Sequence, residues 1–370
     1  MPETTLAGAT EDQLAQFDSR VIAHPILDSV FKDLKTVTRH PGGIPLVAVV
    51  GPTGVGKTTL VDRLYREILK DSAAAMQTNP GLIPVILVEA PSPDSGSFHW
   101  GDFYVRFLEA AFEPMIQQKA LQPFDREDRE RRKKAGTFAA LRRAVEQCIG
   151  HRGTKIVIID EAQHLTKVHN ARRLQDQMDT IKSLASLSGV QFIMVGTNEL
   201  LTLLNQNGQL ARRTRCIHFP RYRFDDPADR QCFCNILGMF ESRLPVQGPG
   251  VLVTNSGYVY EHCLGCVGTL KDWLKLATRH AVEAGKSSLE LSDLKATALS
   301  NDSLIQMLQE ILEGERRIES SKLRGDELRS KLGLQKPPSP TAPVEVGKAV
   351  SPRRVVGERK LIRDPVGLAP

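Results

Sequence analysis

Eight consecutive residues carry the most specific chemistry in the sequence. Gly51-Pro52-Thr53-Gly54-Val55-Gly56-Lys57-Thr58 meets every fixed position of G-x-x-x-x-G-K-S/T, and Thr59 follows it. Glycines at this spacing let a loop turn its N–H groups inward, at the start of a helix whose dipole favours anions. Lys57 is then placed to neutralise the outer phosphates of a nucleoside triphosphate, and the Thr58 hydroxyl to ligate Mg2+. The predicted ligand set for ATP is Gly51, Thr53, Gly54, Val55, Gly56, Lys57, Thr58 and Thr59.

A second cluster completes that chemistry. Ile156-Val157-Ile158-Ile159 ends in Asp160-Glu161, a buried strand delivering two acids. Asp160 is expected to hold the Mg2+ shell, and Glu161 to orient and polarise the attacking water. Val195-Gly196-Thr197-Asn198 closes another strand, where Asn198, or alternatively Thr197, is placed to meet the γ-phosphate or the water. Leu210-Ala211-Arg212-Arg213-Thr214-Arg215 precedes a last short strand, and an arginine there could reach the γ-phosphate of a neighbouring copy.

Such a site needs a sheet to hold it. Apolar runs at Leu46–Val50, Ile83–Val88, Ile156–Ile159, Val190–Val195 and Ile217–Phe219 are strand candidates. Helical patterns at Leu60–Leu69, Phe103–Ile116, Phe138–Cys148 and Leu174–Ser186 alternate with them. Alternation predicts an α/β fold with a parallel sheet covered on both faces by helices. The expected organisation is an N-terminal helical segment over 1–40, in which Met1–Gln16 is a mobile lead-in. A nucleotide-binding domain follows over 41–220, then a helical lid over 221–300. A C-terminal helix spans 301–332, weakened by Gly314 and Gly325, and a disordered basic tail spans 333–370.

The net charge of +6 is concentrated in that tail, where eight Lys/Arg against three Asp/Glu after residue 330 supply +5. The remaining chain is nearly neutral, so a nucleic-acid surface on it must be local. No run of 18 apolar residues is present, and the N-terminus lacks the basic-then-apolar order of a signal peptide. Six cysteines in 370 residues do not make a disulfide scaffold, which predicts a cytoplasmic protein.

Taken together, GPTGVGKT, IVIIDEAQHL, QFIMVGTNEL and LARR resemble the initiator-type branch of the AAA+ ATPases. Within it they look most like the TnsC/TniB regulators of bacterial transposons, including CRISPR-associated ones, over roughly Arg20–Ala281. The resemblance implies a Mg-dependent ATPase forming hexameric rings or helical filaments on duplex DNA. It also implies that the protein links a target selector to a transposase. Lys57, Thr58, Asp160 and Glu161 match the family's positions directly. Arg213 falls where its finger arginine is expected, with Arg212 adjacent. Gly265–Lys271 resembles the start of its sensor-2 helix. Thr269 stands where a base is common, which leaves either Lys271 as a substitute or no cis charge at all.

DNA binding by a neutral body requires a focused strip. Asp125–Lys134 holds six basic and four acidic residues, with Arg131, Arg132, Lys133 and Lys134 unbroken. On the inner face of a ring these would meet phosphates without reading bases, with Thr137 adding a hydrogen bond. Otherwise the segment is a solvated surface with internal ion pairs. Cys232-x-Cys234 and Cys263-x-x-Cys266 read better as buried small hydrophobes than as zinc ligands. Two other outputs fit the same ATPase. One is a replication initiator or helicase loader, and the other a secretion or signalling ATPase that binds no DNA.

Overall fold

The computed structural model describes residues 12–93, 96–120, 131–168, 171–204, 214–246, 250–323 and 325–334. Two compact units divide the chain, 1–318 and 319–370.

Five strands form one parallel sheet: β1 (Leu46–Val50), β2 (Val85–Glu89), β3 (Ile156–Asp160), β4 (Gln191–Gly196) and β5 (Thr214–His218). Their order is β2-β3-β4-β1-β5. The central three are unbroken apolar runs because helices cover both of their faces. Successive side chains point to opposite sides. Ala48, Val50, Val157, Ile159, Phe192 and Met194 therefore enter one core, and Val47, Val49, Ile158, Ile193 and Val195 the other.

The first core is closed by α4 (Trp100–Ala110), the short α5 (Ile116–Ala120), α6 (Arg131–His151), α7 (Ala171–Ser188) and α8 (Leu200–Leu204), through residues such as Phe103, Phe107, Val145 and Ile181. The second is closed by α2 (Pro25–Arg39), α3 (Lys57–Thr78) and α14 (Asn301–Leu323), through Leu34, Leu60, Leu64, Leu304 and Ile311. Leu34 and Leu60 are fully buried, and truncating either to alanine costs about 3 kcal/mol.

A third core builds the lid from α9 (Pro227–Glu241), α10 (Val251–Thr254), α11 (Ser256–Cys263), α12 (Val267–Glu283) and α13 (Leu291–Thr297). Local signals start these helices. Asp226 caps α9 by accepting from the Ala228 amide at 2.8 Å, with Pro227 in the first turn. Glu290 and Asp293 form a reciprocal capping box on α13. No helix among the described residues is long and apolar enough to cross a membrane.

Several boundaries differ from expectation, each for a tertiary reason. β5 begins three residues before the apolar run, because its ladder with β1 pairs Thr214 with Leu46, and an edge strand needs no apolar face. The helical pattern of Phe103–Ile116 is cut after Ala110. Pro114 has no N–H to continue it, and Phe112 and Met115 take left-handed φ of 53° and 57°. Part of the lead-in is folded: residues 12–19 form a helix, α1, whose Phe17 is buried in the lid core, 6.2 Å from the Phe240 ring. Gly314 does not interrupt α14.

Of the second unit, the described residues are the last turn of α14 and the short helix α15 (Gly325–Lys331). Leu328, Leu332 and Leu334 are exposed there. The basic tail from residue 335 onward lies outside the described residues.

Candidate nucleotide site

β1 ends at Val50, and the loop Gly51–Gly56 delivers the chain into α3, whose first residue is Lys57. Gly54 (φ 78°) and Gly56 (φ 107°) both sit in the left-handed region, which side chains resist. Gly54 also has no room for one: a Cβ there would lie 2.0 Å from Thr269 Oγ1. The loop is tied to the sheet by the Gly51 amide, which donates to the Gly196 carbonyl at 3.3 Å.

Lys57 is 7% exposed, and its ammonium donates to the carbonyls of Gly51 (3.1 Å) and Pro52 (2.8 Å). Burial lowers its pKa, while the charges of Glu161 and Asp160 oppose that shift. Burial in turn raises the pKa of Asp160. Lys57, Asp160 and Glu161 thus put one cation and two acids at the carboxyl end of the sheet, around the loop that should hold phosphate.

Thr58 Oγ1 lies 3.4 Å from Asp160 Oδ2. A hydroxyl and a carboxylate at that separation are the hard-oxygen donors that Mg2+ accepts, the rest of its shell coming from phosphate oxygens and water. Among the described residues no cluster of three or more His, Cys, Asp or Glu side chains could hold a metal by itself. Thr58 and Asp160 fit as two of the oxygen ligands of such a cation.

Glu161 follows the strand with φ 52°, a left-handed conformation that costs a non-glycine residue about 1–2 kcal/mol. Its amide donates to Asp160 Oδ1 at 2.9 Å. The turn lifts the Glu161 side chain off the strand axis. Its carboxylate accepts from Gln163 Nε2, and Gln163 Oε1 accepts from the Thr197 amide at 3.1 Å.

Thr197 and Asn198 stand at the end of β4, beside the loop. Between them and α14 lies a cavity of about 380 Å3, lined by Pro52, Thr53, Gln163, His164, Asn198, Ile311, Gly314 and Arg317 among others. Three atoms on the side opposite α14, Thr197 Oγ1, Asn198 Oδ1 and His164 Nδ1, are buried without a hydrogen-bond partner among the described residues. Buried polar atoms usually find partners, and these three stand out beside the phosphate loop for having none.

The lid meets the loop directly. The amides of Gly268 (2.6 Å) and Thr269 (3.1 Å), at the start of α12, both donate to the Gly54 carbonyl. Lys271 is not directed there: its ammonium donates to the carbonyls of Asp18 and Arg20, each at 2.8 Å. Three positions further along the helix would be needed to return a side chain to the same face, and the N-terminal segment has taken Lys271 instead. Thr269 is the lid residue that touches the loop.

Arg212 and Arg213 lie outside the described residues. Arg131, Arg132, Lys133, Lys134 and Thr137 fall on the first turns of α6, and their side chains lie outside what is described. Cys263 is buried in the lid core and Cys266 in the second core, where burial pushes its thiol up to about 12, whereas Cys232 and Cys234, also expected to be buried, are only partly so. The sequence reading missed Gln163, although it stands two residues after the acid pair, and it missed the wall that α14 supplies. The first was legible in DEAQHL; the second depends on long-range packing.

Residues 42–204, from just before β1 to the end of α8, match the family described as AAA domain. No curated protein sequence gives a significant match. Among solved structures, the chain is similar to the ORC2 protein of Aeropyrum pernix, solved as ADPNP-ADP complexes. Identity is 14%, coverage is 77% of this chain and 71% of that one, and the TM-score is 0.49. Domain III of the replication initiation protein DnaA from Thermotoga maritima shares 17% identity over 76% of this chain and 94% of that one, with a TM-score of 0.43. The Drosophila ORC bound to DNA shares 13% identity over 89% and 80%, with a TM-score of 0.46.

Proposed function

We propose that the protein binds ATP with Mg2+ in this cleft and hydrolyses it, and that the nucleotide state governs assembly of its copies on duplex DNA. One observation carries the ATPase reading. Lys57, Thr58, Asp160, Glu161 and Asn198 come from three separate elements and converge at one end of the sheet.

In this reading the loop amides and Lys57 hold the β- and γ-phosphates. Thr58 and Asp160 would hold a Mg2+ ion, which would supply positive charge to offset that of the phosphate oxygens. Glu161 takes the proton of a water that attacks the γ-phosphorus, the bond to the β-phosphate oxygen breaks, and ADP and phosphate leave. Asn198 hydrogen-bonds the γ-phosphate or the water. Arg213, or Arg212 beside it, reaches the γ-phosphate of an adjacent copy, which would make turnover depend on assembly into a hexameric ring or a helical filament.

The output is read from the motif resemblance to TnsC/TniB regulators: a DNA-bound polymer that couples a target selector to a transposase. Arg131, Arg132, Lys133, Lys134 and Thr137 are the proposed phosphate contacts on DNA. Electron microscopy of the purified protein with duplex DNA tests this, comparing no nucleotide, ADP and a non-hydrolysable ATP analogue. Rings or filaments on DNA only with the analogue support the reading. Assemblies that ignore DNA in every state remove the transposition output and leave the ATPase.

A further inference from the structure

We infer that Gln163 is the positioning residue for Glu161, and that it ties the placement of that carboxylate to the end of β4. The inference rests on the ATPase reading above and names a residue that its motifs leave without a role.

The amide of Gln163 is used at both ends. Its Nε2 donates to the Glu161 carboxylate, and its Oε1 accepts from the Thr197 amide at 3.1 Å. The side chain is 7% exposed, so neither bond is readily replaced by water. Glutamine suits this place because its amide carries a donor and an acceptor about 2 Å apart. A carboxylate would have to accept from the Thr197 amide and also face Glu161, with no proton to offer.

The backbone has been shaped around the same contact. Gly196 has no side chain, and a Cβ there would stand 2.5 Å from Gln163 Oε1. Glu161 itself sits in a left-handed conformation, φ 52°, and its carboxylate meets Gln163 Nε2. Among the described residues, the Gln163 bond is the one side-chain contact given to the Glu161 carboxylate. One carboxylate oxygen is thereby fixed, leaving the other for a water. Asn198, the residue next to the tied amide, faces the cleft beside the phosphate loop. A ligand that moves the Thr197–Asn198 strand end therefore moves the support of Glu161 with it.

The test compares wild type, Gln163→Met and Gln163→Glu for steady-state ATP turnover, affinity for a fluorescent ATP analogue, and hydrogen exchange at the Thr197 amide. Gln163→Met keeps the length and loses both bonds. Gln163→Glu keeps the acceptor for Thr197 and loses the donor to Glu161. We expect kcat to fall about 10- to 100-fold in both variants, with analogue affinity and KM within about twofold of wild type. Exchange at Thr197 should quicken only in Gln163→Met. A purely structural role would instead restore kcat in Gln163→Glu together with the exchange protection. That result, or wild-type kcat in Gln163→Met, overturns the inference while leaving the ATPase standing. Wild-type protein that binds the analogue but hydrolyses no ATP defeats the ATPase reading itself, and the role given to Gln163 with it.

Discussion

Thr58 Oγ1 and Asp160 Oδ2, from α3 and β3, face each other across 3.4 Å at the mouth of the phosphate loop. Two hard oxygens so placed predict that ATP binds more tightly with Mg2+ than without it. Thr58→Ala and Asp160→Asn should each abolish most of that difference while leaving Mg-free binding within about twofold. Titration of a fluorescent ATP analogue with and without Mg2+ checks this. A Mg2+ effect of full size in Asp160→Asn would mean the cation is held elsewhere.

Lys57 is buried with its ammonium on the loop carbonyls of Gly51 and Pro52, and in the proposed reading removing it takes away the charge partner of the phosphates. Lys57→Ala should weaken ATP binding about 30-fold or more, the cost of a charge-assisted hydrogen bond. Thermal unfolding should show little change in stability, because the desolvation cost of this ammonium offsets the two hydrogen bonds it gives to Gly51 and Pro52. Calorimetric titration of the variant decides the first point, and a denaturation scan the second.

Gly314 crosses Asn198 so closely that a Cβ would lie 1.9 Å from its Nδ2. Gly314→Ala must therefore displace α14 or turn Asn198 out of the cleft. An overpacked site of this kind costs about 2 kcal/mol, and ATP turnover should fall with it. The same substitution at Gly238, within α9 and with open space around its Cβ, serves as the control. Unchanged melting temperature and turnover in Gly314→Ala would show that α14 does not bear on the site.

His24 gives the fold a pH dependence. Its Nδ1 accepts from the Leu27 amide at 3.4 Å and lies 2.9 Å from the Tyr222 hydroxyl, so the phenol is the donor and the ring proton is on Nε2. Burial lowers the pKa from 6.5 to about 4, with Asp28 partly opposing. Between those values only the unfolded chain takes the proton. Stability is therefore complete above about pH 6.5 and falls by about 3 kcal/mol as pH drops to about 4. His24→Asn keeps a side chain able to cap α2 but does not titrate. Urea denaturation at pH 7 and pH 5 should show a smaller loss of stability in the variant than in wild type. Equal losses would remove His24 as the cause.

Much of this site is written in local sequence. Gly51–Thr58 and Asp160-Glu161 are short motifs whose strands are fully buried, and buried parallel strands announce themselves as apolar runs. The strand ends that carry Asn198 and Glu161 follow from those runs. Features set by distant packing were not legible. Lys271 is turned to the carbonyls of Asp18 and Arg20 by an N-terminal helix whose Phe17 joins the lid core, and no local pattern near residue 271 shows this. Gly314 reads as a weak point in a helix until Asn198 is seen beneath it. Gln163 lies between these cases. Its position after the acid pair was visible, but the Thr197 amide that donates to it is brought near only by the pairing of β3 with β4.

The most direct test of the central claim is phosphate release from ATP by wild type and Glu161→Gln, measured alongside retention of bound nucleotide. Glutamine keeps the size of the side chain and cannot take the proton of the attacking water. Wild type should hydrolyse ATP. Glu161→Gln should bind ATP with similar affinity, lose at least about 100-fold in turnover and retain uncleaved ATP. Turnover at the wild-type rate in Glu161→Gln would contradict the assignment of Glu161 as the base, and with it the catalytic reading of the site.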